Sequence, residues 1–152
     1  LYSGLRNTQA ISERLYNVPI EYENILRSFF GGQTTERLVN LFIQYIAILQ
    51  SLFLAQMNND VHSVNSYTHQ IYQVVDTIAE VFSEINPYWL KNEWVALLTA
   101  FTGMQIQGAT MLLTEEYESN IKIFDRIISL SNVIGDHFSE GLTYYFMLNG
   151  PR

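Results

Sequence analysis

From Leu38 to Asn59, and again from Trp94 to Thr114, the chain carries no Asp, Glu, Lys or Arg, yet apolar residues in both stretches keep the three- and four-residue spacing of a helix. A helix without charge on any face belongs where neighbours cover it. The sequence therefore predicts an all-α protein, an up-and-down bundle of four long helices with short N-terminal helices. It reads as one domain over 1–152, with 1–33 the short helical segment and 34–149 the long helices. Strand alternation, repeats and low-complexity linkers are absent from the sequence.

Two short helices are expected first, near Asn7–Tyr16 and Pro19–Phe30, since Pro19 suits a first helical turn. Gly31-Gly32 stops them, and Thr34 or Thr35 can cap the next helix, with Glu36 in its first turn. The first long helix runs from about Thr35 to Asn58 and is expected to be the most buried element, so that Asp in place of Ile46 would strand a carboxylate in the core. After Asn58-Asn59-Asp60 the second shows an apolar stripe from Val61 to Ile85, opposite a polar face of His62, Ser66, His69, Gln73, Asp76 and Glu80. Asn86-Pro87 ends it, because proline disfavours helical geometry in the residue before it.

The third long helix spans about Leu90–Thr114. Leu90, Trp94, Leu97, Leu98, Phe101, Met104, Met111 and Leu112 are expected inward, with Ala96, Thr99, Ala100, Gly103, Gly108 and Ala109 small enough for another helix to come close. In the fourth, Ile121, Phe124, Ile127, Ile128, Val133, Ile134, Phe138, Leu142 and Tyr145 recur at helical spacing before Asn149-Gly150-Pro151 closes it.

A chain of 152 residues can bury roughly 70% of its unfolded surface, so it needs no disulfide or metal to fold. Its formal net charge is −7 and its few cations are scattered. Phosphate binding needs clustered cations that displace counterions, so no nucleic-acid partner is expected. The absence of cysteine excludes thiol catalysis, thiolate zinc and iron–sulfur clusters. No charged segment followed by an apolar run marks a signal peptide, although the chain opens on Leu1 rather than Met. A cytoplasmic location is expected. The two uncharged stretches are each about as long as a bilayer is thick. Asn40, Gln44, Gln50, Gln56, Gln105 and Gln107 interrupt them and no basic flank orients them, so no membrane association is expected.

Catalytic and metal constellations fail on spacing. A ferritin-like site needs Glu-x-x-His pairs, and His137-Phe138-Ser139-Glu140 reverses that order. His62 and His69 share a helix face but stand about 10.5 Å apart along it. Asp136 and His137 are adjacent and so do not face each other, and no Gly-x-Ser-x-Gly elbow exists. Glu115-Glu116-Tyr117-Glu118 lacks the spaced ligands and central glycine of a calcium loop. No catalytic residue, metal site or cofactor is assigned. Apolar walls with a few polar tips do describe a small-molecule pocket. Gln44, Tyr45, Tyr72, Trp94 and Gln105 are the candidate tips for an apolar or aromatic ligand, with packing as the competing explanation.

The order Glu13-Arg14-Leu15-Tyr16-Asn17-x-Pro19, Phe29-Phe30-Gly31, Ile85-Asn86-Pro87-x-Trp89 and Tyr117-x-x-Asn120-Ile121-x-x-Phe124-Asp125 resembles a family of small, uncharacterised helical proteins from spore-forming bacteria. Some of its members bear an automatic acetylglutamate kinase label. The resemblance implies the helical fold and a further helix upstream in relatives. Where relatives carry a Glu-His pair this chain has Gln44-Tyr45, and where they carry a second histidine it has Phe101. Kinase chemistry finds no support in the residues, for no glycine loop or lysine is placed to hold a phosphoryl group. The expected role is a non-catalytic interaction or structural module. With 48% hydrophobic residues against 15% charged, too little polar surface is left for a monomer's exterior, and a homodimer is expected.

Overall fold

The computed structural model describes residues 13, 14, 16–114 and 117–149, with backbone alone for 117–120. It is all-α. Helical residues before Tyr22 lead into α1 (Glu23–Phe30), followed by α2 (Gly32–Met57), α3 (Val61–Ile85), α4 (Lys91–Leu113) and α5 (Tyr117–Asn149). The expected helix near Asn7–Tyr16 lies largely outside the described residues.

The break after α1 needs only Gly31. Its φ of 77° is open to glycine at little cost, and its N–H still bonds the Arg27 carbonyl. The chain resumes helix at once, so α2 starts at Gly32 rather than at a threonine cap, and Thr35 is instead fully buried within the first turns. Asn59 turns the next corner at φ 54°, a conformation asparagine tolerates. Asp60 N–H then reaches back to the Ala55 carbonyl, and Asn59 N–H to that of Gln56, which satisfies the last carbonyls of α2. The Asp60 carboxylate accepts from Ser63 N–H at 3.1 Å and caps α3. The Ser63 side chain first, and then this backbone N–H, hold its pKa below the usual carboxylate value.

Neighbouring helices run in alternating directions. Phe42 meets Phe82 at 6.5 Å between ring centres and Arg37 pairs with Glu84 at 2.6 Å, so α2 and α3 are antiparallel. Trp94 meets Phe82 at 4.5 Å, and Lys91 bonds Asp76 at 3.1 Å, so α4 returns along α3. The Asp76 carboxylate raises the Lys91 pKa. Gln56 Nε2 donates to Thr110 Oγ1 at 2.9 Å, laying the end of α2 beside the end of α4. α5 packs along α4. Tyr16 donates to Gln50 Oε1 at 2.8 Å and holds the N-terminal helical residues on α2.

Burial departs from expectation in an instructive way. The most thoroughly buried helix is α3, whose one apolar face places Ile71, Val74, Val75, Ile78, Ala79, Val81 and Phe82 inside. On α2 only Thr35, Leu38, Val39, Ile48, Leu52 and Ala55 are buried, and Ile46 is half-buried. On α4 burial is limited to Trp94, Thr102 and Gly108; Leu90 and Leu112 are exposed, as are Ala96, Thr99 and Ala100, so the small-residue stripe is covered only in its second half, where Gly108 is buried and Gly103 lies beside the Tyr72 hydroxyl of α3. On α5 the inward residue of the first turns is Ile123, while Ile121, Phe124, Ile128, Val133 and Tyr145 face out. The reason is geometric. α2 and α3 each meet two long neighbours and α4 three, and an uncharged circumference cannot by itself recruit more.

Ile71→Ala is therefore expected to lower stability by about 2–4 kcal/mol through a dry cavity, and Ile46→Ala by about half of that or less. Urea unfolding of the two variants checks the ranking.

Candidate functional site

Three side chains from two helices build a polar layer inside the apolar core. The Tyr45 phenol donates to Gln105 Oε1 at 2.6 Å. Because that bond uses the phenolic proton, Thr102 Oγ1, 2.9 Å away, donates to the phenol oxygen. Tyr72 completes the layer from α3, its hydroxyl 3.6 Å from where a Cβ on Gly103 would lie. Burial pushes the Tyr45 phenol up to about 12, against the lowering effect of Thr102 and with a smaller rise from Tyr72. At neutral pH this layer is a set of neutral hydrogen bonds without a base or nucleophile.

Of the five residues expected to tip a pocket, the structure bonds Tyr45 to Gln105 and sets Tyr72 beside them. Gln44 is exposed, lining a shallow groove of about 350 Å³ with Leu41, Ile48, Gln70, Gln73, Val74 and Thr77. Trp94 is buried in an aromatic cluster instead. Thr102, the second partner of the phenol, was not singled out by sequence; its only sign is its placement three residues before Gln105.

The aromatic cluster sits at the α3–α4 connection. Trp89 stacks on Phe138 at 4.8 Å, Trp94 meets Phe82 at 4.5 Å, and Trp89 lies edge-on to Trp94 at 5.9 Å. Asn86 fixes the connection. Its Nδ2 donates to the Gly141 carbonyl at 2.9 Å, and its Oδ1 accepts from Tyr88 N–H at 3.0 Å. Gly141 is required by contact alone, since a Cβ there would stand 1.9 Å from Trp89 Nε1. His137 packs against Trp94 at 5.0 Å, and its Nε2 lies 3.6 Å from the Glu93 carboxylate. Among the described residues no three His, Asp or Glu side chains gather where one metal ion could sit. Glu115 and Glu116 lie outside the described residues, and of Tyr117 and Glu118 only the backbone is described.

A separate cleft of about 360 Å³ opens between the N-terminal part of α2 and the end of α3. Phe29, Phe30, Val81, Ile85 and Tyr145 give it an apolar floor, and the Arg37–Glu84 pair stands at its wall with Gln33 and Thr34. Sequence reasoning missed it, because its lining comes from four helices, with the rings of α1 and α5 more than a hundred residues apart in the chain. No protein-family model, curated protein or solved structure matches the chain.

Two outcomes test this geometry. Asn86→Ala leaves the buried Gly141 end of the bond without its partner and is expected to cost about 1–3 kcal/mol; Gly141→Ala overpacks Trp89 at a similar cost. Both are read from urea midpoints and Trp fluorescence. The second outcome concerns pH. The folded Tyr45 pKa is raised, so the neutral phenol favours folding below the unfolded value near 10, and that contribution fades as pH climbs through about 12. Tyr45→Phe lacks this term. Its deficit relative to the parent is expected to shrink between pH 10 and 12, measured by denaturant unfolding at stepped pH.

Proposed function

We propose that this chain is a non-catalytic helical module that works by association with another protein surface, in the first instance with a second copy of itself, its four long helices forming one up-and-down bundle. The observation that carries the reading is the amount of large apolar side chain left open on a folded protomer. Ile121, Phe124 and Ile128 on α5 keep the three- and four-residue spacing of a helix–helix seam and are exposed among the described residues, as are Leu54 and Met57 towards the end of α2 and Leu112 and Leu113 at the end of α4. Monomers seldom leave contiguous apolar areas beyond a few hundred Å². Tyr45, Thr102 and Gln105 join α2 to α4 by hydrogen bonds, which supports a structural rather than a chemical role for that layer.

Helices α2 and α4 are long and apolar enough to cross a membrane by length and composition alone. Helix α3, packed along both, carries exposed Asp76, Glu80 and Glu84. Burying that face in lipid is costly, which favours a protein partner over a bilayer.

A second reading has one observation behind it, the 360 Å³ cleft with its aromatic floor and charged wall. Its size suits a small apolar or aromatic molecule. Light scattering on the full chain separates the two. The expected mass at micromolar concentration is twice the 17.6 kDa of one chain. A monomer throughout, with an aromatic probe such as anilinonaphthalene sulfonate bound stoichiometrically and lost on Phe30→Ala, would favour the cleft instead.

A further inference from the structure

We infer that the cleft between the start of α2 and the end of α3 binds a free aromatic amino acid as its zwitterion, with the carboxylate on Arg37, the ammonium on Glu84 and the ring on the aromatic floor. This rests on the cleft reading given above and names its ligand; the homodimer stands apart from it.

Two helix faces confront each other across the cleft. Gln33, Thr34 and Arg37 lie three and four residues apart on α2, and Val81, Glu84 and Ile85 do so on α3, so each set shares one side of its helix. The Arg37 guanidinium gives one N–H to Glu84 Oε2 at 2.6 Å, and both side chains are about half open. A guanidinium has five N–H donors and a carboxylate two oxygens. Among the described residues the other donors of Arg37 and the Oε1 of Glu84 are unspent.

Polarity fixes the two ends of the ligand. The antiparallel packing sets the positive, N-terminal end of the α2 dipole beside the negative, C-terminal end of α3. The first turn of α2 holds no acidic side chain and the last turn of α3 no basic one, so neither end is neutralised from within its helix. Glu84 stands in that last turn, where a negative charge works against its own helix. A lone anion is drawn to Arg37 and repelled by Glu84, and a lone cation meets the reverse. A ligand with both charges close together satisfies both, and an α-amino acid carries them on one carbon.

The rest of the cleft selects the side chain. Phe29, Phe30 and Tyr145 face it, and ring-on-ring contact adds to the area that an aromatic side chain buries. A second hollow of about 30 Å³ shares Phe29, Phe30, Ile85 and Tyr145 with the cleft, so the floor extends inward rather than lying flat. At about 360 Å³ the cleft stands at the small end of ligand sites, which suits one amino acid rather than a peptide or a large cofactor.

Isothermal titration calorimetry of the full chain with L-phenylalanine tests the assignment, with phenylacetate and phenethylamine as probes that each lack one charge. Phenylalanine is expected to bind once per chain with a Kd of about 0.1–1 mM, the scale for a ligand of about twelve non-hydrogen atoms in an open site. Each single-charge probe should bind about tenfold more weakly or worse, the worth of a hydrogen bond to a charged group. Arg37→Gln is expected to weaken phenylalanine about tenfold and phenethylamine not at all, while Glu84→Gln should weaken phenylalanine alike and phenylacetate not at all. Both side chains are exposed, so helical circular dichroism should match the parent in each variant. No binding heat up to about 10 mM phenylalanine, equal affinity for all three probes, or parent affinity in both variants each overturns the zwitterion site. In that event anilinonaphthalene sulfonate decides the fate of the cleft itself: stoichiometric binding that Phe30→Ala abolishes keeps the cleft reading without this ligand, and no binding removes both.

Discussion

The fold depends on an aromatic knot tied at the α3–α4 connection. Phe82, Trp89, Trp94 and Phe138 come from α3, the connection, α4 and α5, and their rings pack at 4.5–6.4 Å. Phe30 from α1 joins them against Trp89 at 5.9 Å. Rings of this size bury the largest apolar areas available to a side chain, and their edge-to-face contacts add a modest further term. Without the knot α5 would keep its contacts along α4, the Asn86–Gly141 bond and the peripheral ring contacts of Phe146 with Phe29 and of Tyr144 with Tyr88. Asn86 and Gly141 make the knot possible, one by bonding the connection to α5 and the other by leaving room for the Trp89 indole.

Burial is distributed unevenly around that knot. Helix α3 has one apolar face and one wet face, and the apolar face is almost wholly covered because α2 and α4 lie on it. Helices α2 and α4 have more apolar surface than neighbours. In the arrangement of the described helices Leu54 and Met57 of α2 and Leu112 and Leu113 of α4 are left uncovered. They stay at the surface, and surface of that kind is where association is favoured.

The Tyr45–Thr102–Gln105 layer places polar groups in this surplus of apolar surface. A slip of α4 along α2 would leave Tyr45 and Gln105 buried without partners, at a cost larger than the net value of the bonds they make. The layer thereby selects one register among several that apolar packing alone would allow. Such a layer offers no activated nucleophile: the phenol is held neutral and its oxygen is shared between Gln105 and Thr102.

Helix existence and limits were legible because they follow from local rules. Asn58-Asn59-Asp60 turns and caps, Asn86-Pro87 interrupts, and the polar face of α3 from His62 to Glu80 is exposed as its period requires. Which apolar residues turn inward was not legible where they lie on more than one face, as on α5, where Ile123 is buried and Phe124 is not. The inward direction there is decided by the Trp89–Phe138 stack and the Asn86–Gly141 bond, contacts made across about fifty residues of chain that no local period encodes. The five candidate polar tips divided for the same reason: helical period assigns a residue to a face, but only the packing of α4 against α2 decides that Tyr45 meets Gln105 while Gln44 meets water.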